Sequence, residues 1–427
     1  MRKFLLFTAF FYHAFTGFSQ EPQIVRLDSE QIQSLFLTNN LELIVSRYNI
    51  DISDAAVTQA KLWNNPTLSV SNVNLWSTGK QREELSEIAS YTFAKNTEFS
   101  IELSQLIQTA NKRGKLIRRE KVSKEIALHE FEEVMRGLKA ELRKSVCEIQ
   151  YSQSYLKVLN NQHESLFQLI ESYKKQVQQG NIAKNELLRL QSSLLELENE
   201  INETREEFIE KAKTLKVLLN LSPLTEIEIT ANQKTNKAPD ALILSELFIK
   251  AEESRPDMKV YNLQTQFFKK SLDYEKSLRV PDITISAAYD RYGGVWKDFI
   301  GLGVSIDLPF FNRNQGNIKA AKISMKQNSY ITQHQMNIIH HEISASYNNY
   351  INAYSFYKRI NEESLLPELD DMLSAYTKNL MNRNISMLEY IDFMEAYKTN
   401  KQTMLNARKK MNIQFEELQY TVGTDIK

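Results

Sequence analysis

The stretch Phe299-Ile300-Gly301-Leu302-Gly303-Val304-Ser305-Ile306-Asp307-Leu308 decides the fold. Ile300, Leu302, Val304, Ile306 and Leu308 alternate with Gly301, Gly303, Ser305 and Asp307, so a strand here has one apolar and one polar face. About ten residues are enough to cross a bilayer when the strand is tilted. Just upstream, residues 282–292 alternate Ile283, Ile285, Ala287 and Tyr289 against Thr284, Ser286 and Ala288, and Gly293-Gly294 turns the chain. The two segments read as a β-hairpin, and Pro281 stands at its start.

The first half of the chain carries the same signal. Residues 67–76 follow Asn65-Pro66 and alternate Leu68 and Val70 with Ser69 and Ser71, with the alternation slipping as at a bulge near Asn72. Residues 97–108 alternate Phe99, Ile101 and Leu103 with Ser100, Glu102 and Ser104, and a charged loop over 77–96 joins the pair. Around these hairpins the period is helical. A helix starts at Asp28, a good N-cap, and runs to about Trp63; others cover 112–178, 181–221, 244–278, 314–382 with a kink at Pro367, and a last one ends near Val422. The helix over 112–178, at about 1.5 Å per residue, would be roughly 100 Å long. Leu187, Leu190, Leu194, Leu197, Ile201 and Phe208 form a coiled-coil seam.

These elements form two copies of one unit. Tyr173 matches Tyr376, Ile182 matches Ile385 and Glu186 matches Glu389, while Ser100-Ile101-Glu102-Leu103 matches Ser305-Ile306-Asp307-Leu308. The boundaries expected are a signal peptide at 1–20, a first repeat at 21–222, a linker at 223–243 and a second repeat at 244–427. Four half-apolar strands cannot close a barrel, and an open edge in lipid leaves backbone groups unpaired, so several copies must pool their strands. Three copies would give about twelve strands.

Composition agrees with this architecture. Glycine occurs 11 times and proline 8 in 427 residues, about a third of ordinary usage. That counts against small β-sandwiches and α/β enzymes, whose turns need both, and favours long helices. Equal numbers of basic and acidic residues, 53 of each, provide no basic face for nucleic acid. A mean hydropathy of −0.44 argues against a polytopic helical membrane protein. Arg2 and Lys3 precede an apolar run over 4–18 with Ser19-Gln20 behind it, the pattern of a secretory signal peptide. Cys147 is the sole cysteine, so no intrachain disulfide can form and no thiol follows the apolar run to carry a lipid anchor. Its place in an amphipathic helix makes it a small core residue.

The duplicated helix–hairpin–helix–helix unit resembles the TolC-like outer membrane efflux proteins, the outer membrane factor family, over essentially the whole mature chain. So does Ile306-Asp307-Leu308-Pro309-Phe310-Phe311-Asn312-Arg313 followed by Asn314-Gln315-Gly316-Asn317-Ile318-Lys319-Ala320-Ala321. The resemblance implies a mainly α protein with a small transmembrane β part: a homotrimer whose twelve-stranded barrel lies in outer membrane lipid above a long α-helical tunnel into the periplasm. It implies an exit duct without catalysis or cofactor, docked through a periplasmic adaptor (membrane fusion) protein to an inner-membrane pump of RND type. The short second hairpin and the tip sequences lean towards the branch that exports heavy-metal cations. Ducts for drug efflux and type I secretion share the pattern, and a non-channel periplasmic coiled-coil scaffold is the competing reading.

The resemblance also places two sets of residues. Glu389 and Asp392 match acidic positions that line a tunnel constriction, with Glu186 as the first-half counterpart and Arg189 replacing the second acid. Gly180, Asn181 and Ile182, with Arg383, Asn384, Ile385 and Ser386, match the tip turns that meet the adaptor. Arg383 stands where the first copy has Gly180, a departure expected to alter the second turn. Elsewhere, His334, His340 and His341 read as helix-face residues rather than a metal site, because His334 and His341 are about 10 Å apart along a helix. Tyr347, Tyr350, Tyr354 and Tyr357 read as helix packing.

Overall fold

A computed structural model describes residues 24–73, 80, 83, 98–230, 238–291, 296–362 and 365–426. The expected signal peptide, Trp76, nearly all of the 77–96 loop and the Gly293-Gly294 turn lie outside those residues. The elements run β1 (Ile24–Leu27), α1 (Ser29–Asn39), α2 (Leu41–Lys61), β2 (Thr67–Ser71), β3 (Ser100–Ile107), α3 (Lys112–Gln178), α4 (Lys184–Leu219) and β4 (Glu226–Ile229). After a short 3-10 turn follow α5 (Leu244–Ser254), α6 (Pro256–Ser277), β5 (Ile283–Asp290), β6 (Phe299–Ile306), α7 (Gln315–Glu362), α8 (Leu365–Met381) and α9 (Met387–Val422). No described helix is long and apolar enough to cross a membrane.

The chain divides into two compact units, the first made of Met1–Ser46, Glu132–Arg255 and Asn337–Lys427. Its core joins α3, α4, α8 and α9 through Leu159, Leu169, Leu190, Leu197, Leu373, Leu380, Tyr390 and Tyr397, with Leu187 and Leu194 packed against it, so the coiled-coil seam faces inward. Asp28 caps α1 with a full capping box, accepting from Glu30 N–H and Gln31 N–H while Gln31 reaches back. Two helices expected to be continuous are broken. Asn40 ends α1, caps α2 by accepting from Leu43 N–H, and donates to the Leu218 carbonyl at 2.8 Å. Arg255 ends α5, with Pro256 opening α6, and donates to the Thr421 carbonyl at 2.9 Å. Leu218 and Thr421 are each two residues before a left-handed helix end, Asn220 (φ 52°) and Gly423 (φ 83°). Each repeat thus ties the break in its leading helix pair to the end of its own last helix. A Cβ at Gly423 would lie 2.7 Å from Arg255 Cγ, so that turn requires glycine for space as well as for φ.

The segment expected to be a plain linker contains β4, which pairs in parallel with β1 over Ile24↔Glu226 to Leu27↔Ile229. Leu27, Ile227 and Ile229 are buried there, and Arg26 Nε lies 2.7 Å from Glu228 Oε2 at the surface.

The second unit, Arg47–Phe131 and Pro256–Met336, contains one antiparallel sheet in the order β2-β3-β5-β6. β2 stops at Ser71, and Asn72 takes a left-handed φ of 57°, so ladder pairing ends there where a bulge was expected. The foot of the sheet is fastened by Lys112, whose Nζ lies 2.6 Å from Asp282 Oδ1, and by Thr109, whose N–H donates to the same carboxylate at 2.8 Å. Asn111 and Asn314, 203 residues apart and both left-handed, accept at their carbonyls the first helical N–H of α3 and of α7.

Candidate functional site

The sheet register sorts its side chains into two faces. One face has the cross-strand rows Leu68–Leu103–Ala287–Leu302, Val70–Ile101–Tyr289–Ile300 and Ile107–Ile283–Ile306. The other has Thr67–Ser104–Ser286–Gly303, Ser69–Glu102–Ala288–Gly301 and Leu106–Thr284–Ser305. The apolar face is uncovered: Leu302 is 87% exposed and Ile300 74%, with Leu68, Val70, Leu103 and Val304 also exposed. A contiguous uncovered face of this kind needs a non-aqueous neighbour. Gly303 lets the polar face close up, because a Cβ there would lie 2.5 Å from Ser286 Oγ. Near the far end Phe99 and Tyr289 pack at 5.9 Å, Arg291 lies over Phe99, and the Tyr289 hydroxyl donates to Asp298 at 2.6 Å.

The helical tips are built from two matching turns. α3 ends in a Schellman turn, with Asn181 N–H on the Gln176 carbonyl (2.9 Å) and Gly180 N–H on the Val177 carbonyl (3.0 Å). α8 ends the same way, with Asn384 N–H on Asn379 (2.9 Å) and Arg383 N–H on Leu380 (3.0 Å). The departure expected from Arg383 does not occur. Its φ of 62° reproduces the left-handed conformation of Gly180 at φ 75°. That conformation costs a non-glycine residue about 1 kcal/mol or more. In return the Arg383 guanidinium donates to the Asn181 carbonyl, linking the second tip to the first.

Past the turns the two copies diverge. Ser386 caps α9: its hydroxyl accepts from Glu389 N–H, and its own N–H donates to Glu389 Oε2 at 2.7 Å. That backbone hydrogen bond, with help from the Ser386 side chain, holds the Glu389 carboxyl below its ordinary value, so it stays charged. The residue before α4 is Ala183, which offers no side-chain cap, and so Glu186 makes no capping-box contact. Glu389 and Asp392 are both exposed on the first turns of α9, Glu186 is half-buried and Arg189 is exposed. Gly180, Asn181, Arg383, Asn384 and Ser386 are exposed, whereas Ile182 and Ile385 tuck against the core. Burial raises the hydroxyl of Tyr173, with Glu186 adding to the shift and Arg383 opposing it, so these charges flank one tyrosine. Sequence reading missed the Arg383 link and the capping role of Glu389. The Ser-x-x-Glu spacing at 386–389 is the signal that could have found the cap.

The remaining constellations serve packing. His340 Nε2 lies 3.0 Å from Glu252 and its ring packs on Phe248. Tyr350 is fully buried, 5.2 Å from Phe415. Burial pushes the Cys147 thiol up to about 12, with Glu416 and Glu148 adding to the shift, so it is protonated and unreactive at neutral pH. Among the described residues no cluster of His, Cys, Asp and Glu is arranged to hold a metal ion.

Comparison with known proteins follows the same lines. The family model described as outer membrane efflux protein matches residues 32–221. The chain is 20% identical over 392 residues, 90% of its length and 87% of the relative's, to the cobalt-zinc-cadmium resistance protein CzcC of Cupriavidus metallidurans. Its fold matches the Campylobacter jejuni CmeC outer membrane channel with a TM-score of 0.73 at 13% identity, covering 92% of this chain and 85% of that one. It matches CusC, described in connection with transmembrane channel formation, with a TM-score of 0.69 at 16% identity over 96% of each chain. At these identities the structural likeness shows the fold alone, long helices with one four-stranded antiparallel sheet. The profile over residues 32–221 and this shared architecture together make the chain similar to the outer membrane efflux proteins.

Proposed function

We propose that the chain is the outer-membrane exit duct of a tripartite efflux system, passing substrate without catalysis from an inner-membrane pump by way of a periplasmic adaptor. The four-stranded sheet carries this reading, with one face apolar and exposed and both edge strands, β2 and β6, open. Open edges in hydrocarbon cost several kcal/mol per unpaired group. β2 and β6 run in opposite directions, so β6 of one copy continues onto β2 of the next in the same antiparallel sense. A homotrimer closes the ladder with about twelve strands, apolar outward and polar inward. On this reading 1–20 is removed on export, 21–222 and 244–427 are the two repeats, and 223–243 links them while lending β4 to the N-terminal strand.

The tips are the adaptor-facing end, formed by Gly180, Asn181, Ile182, Arg383, Asn384, Ile385 and Ser386. Rings of Glu389 and Asp392 narrow the passage there, with Glu186 beside them. Fixed carboxylates in a constriction favour cations. Heavy-metal cations are the substrate class this supports, in line with the name of the relative CzcC. The test is fractionation of the expressed full chain. An outer-membrane, heat-modifiable trimer supports the duct, and release with the soluble periplasm defeats it. For the substrate, loss of the chain should sensitise cells to zinc, cobalt or cadmium; unchanged metal tolerance with lost drug tolerance would move the duct to a drug pump.

A further inference from the structure

At the foot of the sheet, beyond the end of β6, lies a cleft of about 460 Å³ that the duct reading leaves without a role. Its rim is cationic, with Lys276 and Arg279 from the end of α6 and Arg313 from the segment that leads into α7. Its apolar lining is Val280, Leu308, Pro309 and Phe310, the first, second and last of them exposed, and no carboxylate lines it. Among the described residues none of the three cations has a carboxylate partner. Arg313 Nε turns to the Pro309 carbonyl at 3.3 Å, and the neighbouring Glu275 is occupied by Asn314 Nδ2 at 2.6 Å. Three positive charges without carboxylate partners beside exposed apolar side chains form a site for an anion joined to an apolar body.

The surroundings indicate which anion. Leu308 continues the apolar alternation of β6 two residues past Ile306, and Phe310 and Phe311 follow it, Phe311 at 97% exposed. Trp63, also exposed, stands at the foot of the same sheet, with Arg113 stacked 3.6 Å from its ring centre. Aromatic and cationic side chains concentrated at one end of an apolar sheet are the pattern of a membrane–water boundary. A free inorganic anion would use the cations and leave the apolar run bare. A lipid uses both.

We propose that this cleft holds the phosphodiester headgroup of an anionic membrane phospholipid, its acyl chains lying along the apolar face of β6 over Leu308, Ile306, Val304 and Leu302. The inference rests on the reading that the sheet spans a bilayer. The headgroup is bound by Lys276, Arg279 and Arg313, with the two guanidinium groups able to take phosphate oxygens in pairs. A lipid bound there also fastens the start of α7 to the membrane surface.

The test uses the full chain, extracted from membranes in mild detergent, stripped of lipid and exposed in turn to phosphatidylglycerol and phosphatidylcholine, with bound lipid counted by native mass spectrometry. The expected result is a preference for phosphatidylglycerol on the order of tenfold or more, weakened by salt. That preference should vanish in Lys276→Gln/Arg279→Gln/Arg313→Gln and be intermediate in Arg279→Gln alone, a milder change that preserves folding. Equal uptake of both lipids by the wild type overturns the proposal, as does a substituted protein that keeps the preference. Full displacement of phosphatidylglycerol by millimolar inorganic phosphate makes the cleft a free-anion site and overturns it too. Dissociation of the substituted protein into single chains that still prefer phosphatidylglycerol makes the cleft a contact between copies and equally overturns it. Failure of the wild-type chain to stay with the outer membrane defeats the spanning reading itself. Retention with unselective lipid uptake defeats only the cleft.

Discussion

Replacing Arg255 with alanine should be among the most damaging single changes in the first unit. The side chain is 3% exposed, and its Nη1 donates to the Thr421 carbonyl at 2.9 Å and lies 3.0 Å from Glu342 Oε2. Losing the donor leaves a buried carbonyl at the end of α9 without this partner, which costs about 1–3 kcal/mol. Losing the aliphatic stem beside Gly423 opens a small cavity, costing about 1–2 kcal/mol more. The ion pair itself adds little, because the Glu342 side chain is 43% exposed and regains water. The sum is about 2–5 kcal/mol. At roughly 2 °C per kcal/mol for a chain of this size, the unfolding midpoint should fall by about 4–10 °C. Glu342→Gln, which removes only the charge, should cost under about 1 kcal/mol. Thermal unfolding of the detergent-solubilised protein, at one fixed scan rate, measures both. An Arg255→Ala midpoint no lower than that of Glu342→Gln would refute the claim that the carbonyl bond and the packing, rather than the ion pair, hold this joint.

Two further changes separate charge from architecture. Glu389→Gln with Asp392→Asn keeps an oxygen for the Ser386 N–H while removing the tip charges, so it should reduce cation preference in bilayer recordings with little loss of stability. Glu389→Ala should lose the cap as well, at about 1 kcal/mol; unchanged ion preference in the double variant sinks the gate assignment. Asp425 is partly buried, which alone would raise its carboxyl, yet hydrogen bonds and charge from Arg143 and Lys139 bring it down to about 2. A carboxyl lowered on folding adds stability above its unfolded value near 3.8, and that stability is lost as pH falls towards 2. The full linkage of about 2.4 kcal/mol is cut by solvent screening to about 1 kcal/mol, because the side chain is 45% exposed. Wild type should therefore lose about 1 kcal/mol more than Asp425→Asn between pH 5 and pH 2 in urea titrations, and parallel curves would contradict the assignment.

The strands were legible because their two faces must satisfy different solvents, and a period of two survives any tertiary context. The duplication was legible for a related reason: Tyr173 and Tyr376, or Ile182 and Ile385, occupy the same core position in each copy. The breaks at Asn40 and Arg255 were not read, since apolar periodicity runs on through both. Local cues were present, an Asn with a cap position and a Pro at the first residue of α6, but each is weak against a long periodic pattern. The β1–β4 pairing was illegible for a different reason. Each strand is four residues long and finds its partner about two hundred residues away, so no local window contains the reason for the strand. At the second tip the sequence misled, because arginine is a poor left-handed residue. Only the link from its guanidinium to the Asn181 carbonyl makes the conformation worthwhile, and that contact is invisible in one dimension. Of the candidate site, the positions of the tip turns and acids were legible, while the engagement of Glu389 in the cap was not.

In the proposed duct one face of the sheet meets lipid and the other meets water. A cysteine scan of β5, the strand between β3 and β6, tests it most directly, using a membrane-impermeant maleimide on the assembled protein in outer membranes. The half-buried Cys147 is first replaced by serine, so that the background has no thiol. Labelling is expected at 284, 286 and 288 and protection at 283, 285 and 287, following the two faces of the register. Equal labelling at all six positions would contradict it, since both faces of the sheet would then lie in water.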